Sequence, residues 1–380
     1  MKSRSTLSLV LIVFGLVAAT AGAYALARFF NSSPSEPLPT FTKLYDRATP
    51  IPLPTSEPKI AVTLPIRIHS FAISPNMKTI AMATSEGLVL YKLETLDLLR
   101  VLNEKENVFS VDYSPDGKKL AMGSLIMQNR EAGKPHLVVW DTSTWKVIFE
   151  PKIGNNDTTM FFGDVAWSPK GSLLATSDYD RGLVTFDIKT GQMISLQQAF
   201  LVSPYDISWS PNGSRLVATG DLGYGFRRWR IDTDEFVRVY DERVGTLAEQ
   251  VAWSPNGERI ASVHANGILC FWTASTNHCD GYIKAHWNSG FSLDWSPDGN
   301  QLATGGGVIR IWDTYTGNLV TSFGFQTPSI YSQLKWLANG MLVSLETGYA
   351  DREPTIIRFW DIDTGEILME FHGDRSIYGE

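Results

Sequence analysis

Trp295-Ser296-Pro297-Asp298-Gly299, followed by Gln301-Leu302-Ala303-Thr304 and then Val308-Ile309-Arg310-Ile311-Trp312-Asp313, decides how this 380-residue chain folds. An apolar stretch ends in an aromatic residue and meets a turn whose every position has a reason. Proline presets φ for the bend, and glycine accepts a positive φ without steric cost. A short strand follows, then a third strand that ends on an aromatic-acidic pair. Thr314-Tyr315-Thr316-Gly317 turns the chain again into a fourth, outer strand.

The unit recurs. Its turns are Ser74-Pro75-Asn76-Met77, Ser114-Pro115-Asp116-Gly117, Ser168-Pro169-Lys170-Gly171, Ser210-Pro211-Asn212-Gly213, Ser254-Pro255-Asn256-Gly257 and Ser296-Pro297-Asp298-Gly299. A seventh, degraded copy is Leu337-Ala338-Asn339-Gly340. The second positions lie 40, 54, 42, 44, 42 and 41 residues apart, the period of four-stranded propeller blades. The expected fold is all-β: a seven-bladed propeller of four-stranded antiparallel blades. Tryptophan use agrees. Of 12 tryptophans, Trp167, Trp209, Trp253, Trp295 and Trp336 end first strands, and Trp140, Trp229, Trp272, Trp312 and Trp360 end third strands. Those ten read as packing between adjacent blades, where large rings fill the gap between radial sheets. Trp145 and Trp287 are left over.

Ser-Pro-Asp-Gly turns and Trp-Asp strand ends at this period resemble the WD-repeat β-propeller family, from about Ile60 to the C-terminus, in a divergent, bacterial-style form. The Trp-Ser-Pro-Asp-Gly string is also similar to six-bladed periplasmic propellers, but seven units and the Trp-Asp pairs favour the WD type. The family's Gly-His before the first strand is nearly missing, with Ala285-His286 its nearest echo. Glu86, Asn266 and Gly306 stand where the family has an aspartate in the second hairpin turn. The Asp-His-Ser/Thr-Trp network that the resemblance implies is therefore not assumed.

Residues 1–30 read as a transmembrane anchor or a signal peptide. Leu7 to Ala27 carries no charge, and roughly 20 apolar residues span a bilayer core as a helix. Lys2 and Arg4 would keep the start of the run in the cytoplasm. Ala25-Leu26-Ala27 and Ala21-Gly22-Ala23 are small-x-small sites of the kind a signal peptidase cleaves. An uncleaved anchor gives a single-pass membrane protein with an extracytoplasmic propeller, and cleavage gives a secreted or periplasmic one. Residues 31–58, rich in Pro and Ser, read as an extended linker, and residues 59–380 as the propeller.

Net charge is −7, and near −10 once the first 28 residues are set aside. Such a body repels nucleic acid and anionic lipid unless its bases are clustered, and the sequence displays no local cluster. No nucleic-acid partner is expected. The six histidines show no metal-ligand spacing, and no Gly-x-Ser-x-Gly elbow, phosphate loop or His-Glu-x-x-His motif occurs. No catalytic, metal or cofactor residue is assigned. Cys270 and Cys279 lie near one another across a hairpin, so a disulfide is open to them in an oxidising compartment; the alternative is two free thiols.

The function expected is a non-enzymatic interaction scaffold on the outer face of a membrane, binding protein partners of unknown identity. The rival is an exported propeller enzyme, a quinoprotein-like dehydrogenase or a hydrolase, with a site at the channel mouth. Candidate partner-binding residues come from connections whose length packing does not require: Arg130, Glu131, Tyr224, Phe226, Trp287, Tyr349, Asp351 and Arg352. The ring closes either with the last outer strand, Glu366 to Phe371, or with the extra strand Ile60 to Leu64.

Overall fold

A computed structural model describes residues 61–64, 66–126, 134–151, 162–178, 182–197, 206–220, 225–276, 279–287, 291–324, 330–348 and 353–373. Seven sheets of antiparallel strands form the blades: 68–102, 107–149, 162–197, 207–239, 248–284, 292–323 and 330–373. Consecutive strands pair in order within each blade, from the inner strand at the central channel to the outer strand at the rim. No described residue is helical, and among the described residues no helix is long and apolar enough to cross a membrane. The anchor or signal expected over 1–30 and the linker over 31–58 lie outside the described residues.

The turns fold as their residues dictate. In blade 2 the Ser114 hydroxyl donates to Asp116 Oδ1 at 2.6 Å and accepts the Lys119 N–H at 2.9 Å. Gly117 donates to the Ser114 carbonyl at 2.8 Å with φ at 68°. A Cβ on Gly117 would lie 3.4 Å from Pro75 of the preceding blade, and Gly257 stands in the same relation to Pro211. The Ser-Pro turns thus touch one another around the ring. Trp145 occupies the left-handed position of its outer turn, φ 58°, and lies beneath the Arg100 guanidinium at 5.1 Å; it packs against the cluster between blades 1 and 2. That accounts for one of the two leftover tryptophans.

Between blades, apolar clusters fill the wedge-shaped gaps. Trp229, Trp272, Trp312 and Trp360 are among the largest fully buried side chains. At the channel a second device joins the blades, because inner strands of neighbouring blades share no ladder. A polar side chain three residues before the strand-ending aromatic reaches the next blade. Asp164 accepts the Ile207 N–H at 3.1 Å, and Asp206 accepts that of Val251 at 2.8 Å. Gln250 accepts the Leu293 N–H. Gln333 closes the circle on blade 1, accepting the Phe71 N–H at 3.1 Å and donating to the Phe71 carbonyl at 3.0 Å. One position before the aromatic, Asp112 and Asp294 accept the N–H groups of Trp167 and Trp336.

Ring closure uses both candidate strands. Ile367–Gly373 is the outer strand of blade 7, and Ala61–Leu64 adds beside it as a fifth strand in parallel register, Ala61 opposite Glu370 and Leu64 opposite Gly373. The free edge of the last blade is thereby covered.

Candidate partner-binding face

Blade geometry sorts the connections onto two faces. First-to-second and third-to-fourth strand turns share one, here the turn face. Second-to-third connections and those between blades share the other, the loop face. On the turn face five residues separate the strands in every blade, as between Trp167 and Leu173, save six in the outer turn of blade 7. On the loop face the separation runs from two residues, Thr84 to Gly87, to twelve, Phe149 to Phe162. All length variation beyond one residue therefore sits on a single face, and loops held on a rigid frame are where binding residues concentrate.

Trp287 stands on this face, 67% exposed, between blades 5 and 6. The two residues before it are locked. Ala285 and His286 are buried, and the Arg310 guanidinium donates to the Ala285 carbonyl. The His286 N–H donates to the Gly267 carbonyl at 2.9 Å. His286 Nε2 bonds the Thr304 hydroxyl at 2.9 Å, which accepts the Trp312 indole N–H at 2.8 Å. Burial holds the His286 pKa down at about 3, with Arg310 and Lys284 adding to the effect, so the ring is neutral. An exposed indole on an immobile base presents large contact area at low ordering cost, the property of an interface hot spot.

His286, Thr304 and Trp312 are three members of the network that the sequence did not license, so that expectation is corrected for blade 6. The fourth place is Gly306, where a Cβ would lie only 2.3 Å from His286 Nδ1. In blade 5 the Trp272 indole donates to Ser262 Oγ at 2.8 Å, and Ser262 bonds His264 Nε2 at 2.8 Å. Here the histidine lies at the end of the second strand rather than before the first. His264 Nδ1 faces the Thr246 carbonyl at 3.2 Å and must carry the proton there, so Nε2 accepts from Ser262. Blade 7 keeps the Trp360–Ser344 bond at 2.8 Å.

Of the other candidates, Phe226 is corrected. It begins the third strand of blade 4, is 0% exposed, and meets the Trp272 ring edge-on at 5.4 Å. It belongs to the core between blades 4 and 5 and cannot touch a partner. Arg130, Glu131, Tyr224, Tyr349, Asp351 and Arg352 lie outside the described residues. Among the described residues of this face, one exposed aromatic escaped the sequence reading, Tyr240, 48% exposed in the connection between blades 4 and 5 with Arg238 over its ring at 5.5 Å, while Tyr315, 96% exposed, stands on the turn face. The signal of Tyr240 was the same as that of Trp287, an aromatic in a long between-blade connection.

Cys270 and Cys279 are bonded across the third and outer strands of blade 5, with Cα atoms 6.2 Å apart. At the channel, burial raises Asp112 to about 7, Asp164 to about 6 and Asp206 to about 8, the last with help from neighbouring Asp164. Burial also raises Glu249 to about 7. Lys335 sits 3.5 Å from Asp294, which raises its pKa. Asp112, Asp164, Asp206 and Asp294 already serve as acceptors between blades. Among the described residues no group of three or more His, Cys, Asp or Glu side chains is placed to hold a metal.

A closed ring of seven four-stranded blades, with Trp-Ser/Thr bonds inside blades 5, 6 and 7, defines a seven-bladed β-propeller. Residues 277–313 match the family model described as WD domain, G-beta repeat, a span that contains His286, Thr304 and Trp312. The chain is similar to cell division cycle 20.1, cofactor of APC complex, of Arabidopsis thaliana, 22% identical over 70% of this chain and 48% of that protein. It is also similar to WD repeat-containing protein 1 of Gallus gallus, 31% identical over 44% of this chain and 29% of the relative. F-box-like/WD repeat-containing protein TBL1X of Mus musculus is 43% identical over 21% of this chain and 14% of its own length. The chain spans about half or less of the length of these relatives. All three are eukaryotic, and the expected bacterial-style character of the copies is not seen among them.

Proposed function

We propose that the chain is a non-enzymatic protein-interaction scaffold, displayed on the outer face of a membrane by its N-terminal segment and presenting its loop face to a protein partner. The observation that carries this reading is the contrast between the two faces. Five-residue turns repeat on one, while connections of two to twelve residues and the pedestal of Trp287 occupy the other. Relatives whose printed names describe a complex cofactor and WD-repeat proteins support a partner-binding use. Lys2 and Arg4 ahead of the uncharged run from Leu7 to Ala27, together with the Cys270–Cys279 bond, support an extracytoplasmic body.

Two experiments test it. Replacing Trp287, Tyr224 and Arg352 together by Ala should weaken partner capture by more than about tenfold, roughly 1.4 kcal/mol, with an unchanged melting curve. Capture that survives this variant, or that is lost only when the Ser-Pro turns are altered, places the partner on the turn face instead. Protease added outside intact cells or spheroplasts should digest the propeller; a protected body would put it in the cytoplasm.

A further inference from the structure

The ring gathers charges that the sequence scatters. Counted with the strand residue on either side, the six turn-face turns of blades 1–3 hold seven lysines against five acids, whereas the eight of blades 4–7 hold three arginines against nine acids. The fold thus places a small basic excess, which the sequence does not display, on one half of the turn face. Next to it, at the rim, each outer strand of blades 1–3 opens with two aliphatic side chains: Leu98 and Leu99, Val147 and Ile148, Met193 and Ile194. All six are between 41% and 54% exposed. The equivalent pair in blade 5 is Cys279 and Asp280, buried and charged respectively, and in blade 7 Ile367 is buried and Leu368 is packed against the core. Six such side chains at two consecutive repeat positions on three successive blades make an interrupted apolar stripe along the rim, whereas blade 6 exposes only Val320, its neighbour Leu319 being packed against the core.

The N-terminal strand points to what covers the stripe. Ala61–Leu64 runs parallel to the outer strand of blade 7, so Ala61 is its turn-face end. Leu64 and Val62 lean on the cluster shared with blade 1. The 60 residues ahead of it, which hold the uncharged run from Leu7 to Ala27, thus join the ring on the side of the stripe, one blade away from its start.

We propose that blades 1–3 rest on the bilayer surface through this rim. The aliphatic pairs enter the headgroup region, and lysines of the adjoining turns, Lys92, Lys146 and Lys189 foremost, meet anionic lipid phosphates. Apolar burial and basic residues acting together are what surface attachment requires, since either alone is weak. The acidic blades 4–7 tilt away, and the loop face stays clear for a partner. The inference rests on the membrane reading above for the side of the membrane, and on the stripe and its lysines for the contact itself.

The test uses the full chain in vesicles of phosphatidylcholine doped with phosphatidylglycerol. A nitroxide is placed at Ile148→Cys or, as the equivalent position of blade 6, at Val320→Cys; both native cysteines are bonded and do not compete. The label at 148 should be reached by oxygen and shielded from a water-soluble nickel complex, while that at 320 stays open to the nickel complex. Lys92→Gln, Lys146→Gln and Lys189→Gln together should lower the bound-to-free ratio at 148 by about fivefold per charge. A chain that floats with vesicles yet shows both labels equally wet overturns the contact and leaves the anchor standing. Failure to float overturns the anchor reading instead. Shielding at 148 in detergent without vesicles, growing with protein concentration, would assign the stripe to a second copy and also overturn the proposal.

Discussion

Replacing Phe226 by Ala separates core from interface at a residue that sequence reasoning placed in the partner-binding set. Its ring is wholly buried between blades 4 and 5, among Val217, Val239, Val251 and Trp272. Truncating a buried phenylalanine costs about 3–5 kcal/mol through lost transfer energy and the cavity left behind. About 0.5–1.5 kcal/mol of that comes from the edge-on contact with Trp272. The wedge is rigid on both sides, since Val239 and Trp272 belong to different sheets and cannot collapse toward each other freely, so the upper half of the range is expected. Urea denaturation followed by far-ultraviolet circular dichroism measures it, alongside Trp287→Ala, which should shift stability by no more than about 0.5 kcal/mol. A Phe226→Ala protein that loses less than about 1 kcal/mol but no longer captures its partner would refute the assignment.

Three further outcomes concern the disulfide, the channel carboxylates and Gly306. Reducing the Cys270–Cys279 bond, which closes a loop of sequence separation 9, should cost about 2–3 kcal/mol, read as a lower melting temperature in dithiothreitol that a Cys270→Ala/Cys279→Ala double variant does not show. Asp112, Asp206 and Glu249 hold protons in the fold up to about pH 7 to 8 and release them far lower when unfolded, so the native state binds more protons and stability must fall as pH rises through that window. Between about pH 6.5 and 8.5, above the range where buried His264 and His286 would charge on unfolding, urea stability should drop by about 2 kcal/mol, and Asp206→Asn should flatten the slope; rising stability would contradict the buried channel carboxylates. Gly306→Ala should destabilise by about 1–3 kcal/mol because its Cβ overlaps the His286 imidazole, whereas the same change at Gly281, with open space around it, should be nearly neutral in thermal melts.

Local chemistry makes the blades legible in the sequence. The Ser-Pro-Asp-Gly turn needs its hydroxyl, its ring and its glycine at fixed places, and ten tryptophans mark strand ends, so count and order of strands followed. The channel lacing was written just as regularly, with Ser110, which accepts the Val165 N–H at 3.1 Å, Asp164, Asp206, Gln250 and Gln333 each three residues before the strand-ending aromatic. It passed unnoticed because one polar residue in a strand looks like ordinary alternation until the neighbouring blade is in view. Phe226 reads as a loop residue because it directly follows an uneven connection that carries Tyr224, whereas the ladder resumes at Phe226 opposite Val239. Lysines between positions 78 and 189 come to share one half of the turn face only through the ring, and the pairing of Ala61 with Glu370 is set by closure over almost the whole chain, where no local pattern can announce it.

The fifth strand of blade 7 also decides how the ring answers a pull. A load applied at the N-terminus enters through Ala61, along the axis of a strand laid parallel to Ile367–Gly373. Tension directed along that axis acts across the inter-strand hydrogen bonds as shear, so they share the force rather than opening one after another. Four paired residues are few, but Leu64 and Val62 lie against the apolar cluster between blades 7 and 1, so sliding the strand must also drag aliphatic side chains through a packed core. The join between Ala61–Leu64 and the ring thus resists traction along the strand axis, and a sideways tug on the same strand would peel it bond by bond at much lower force.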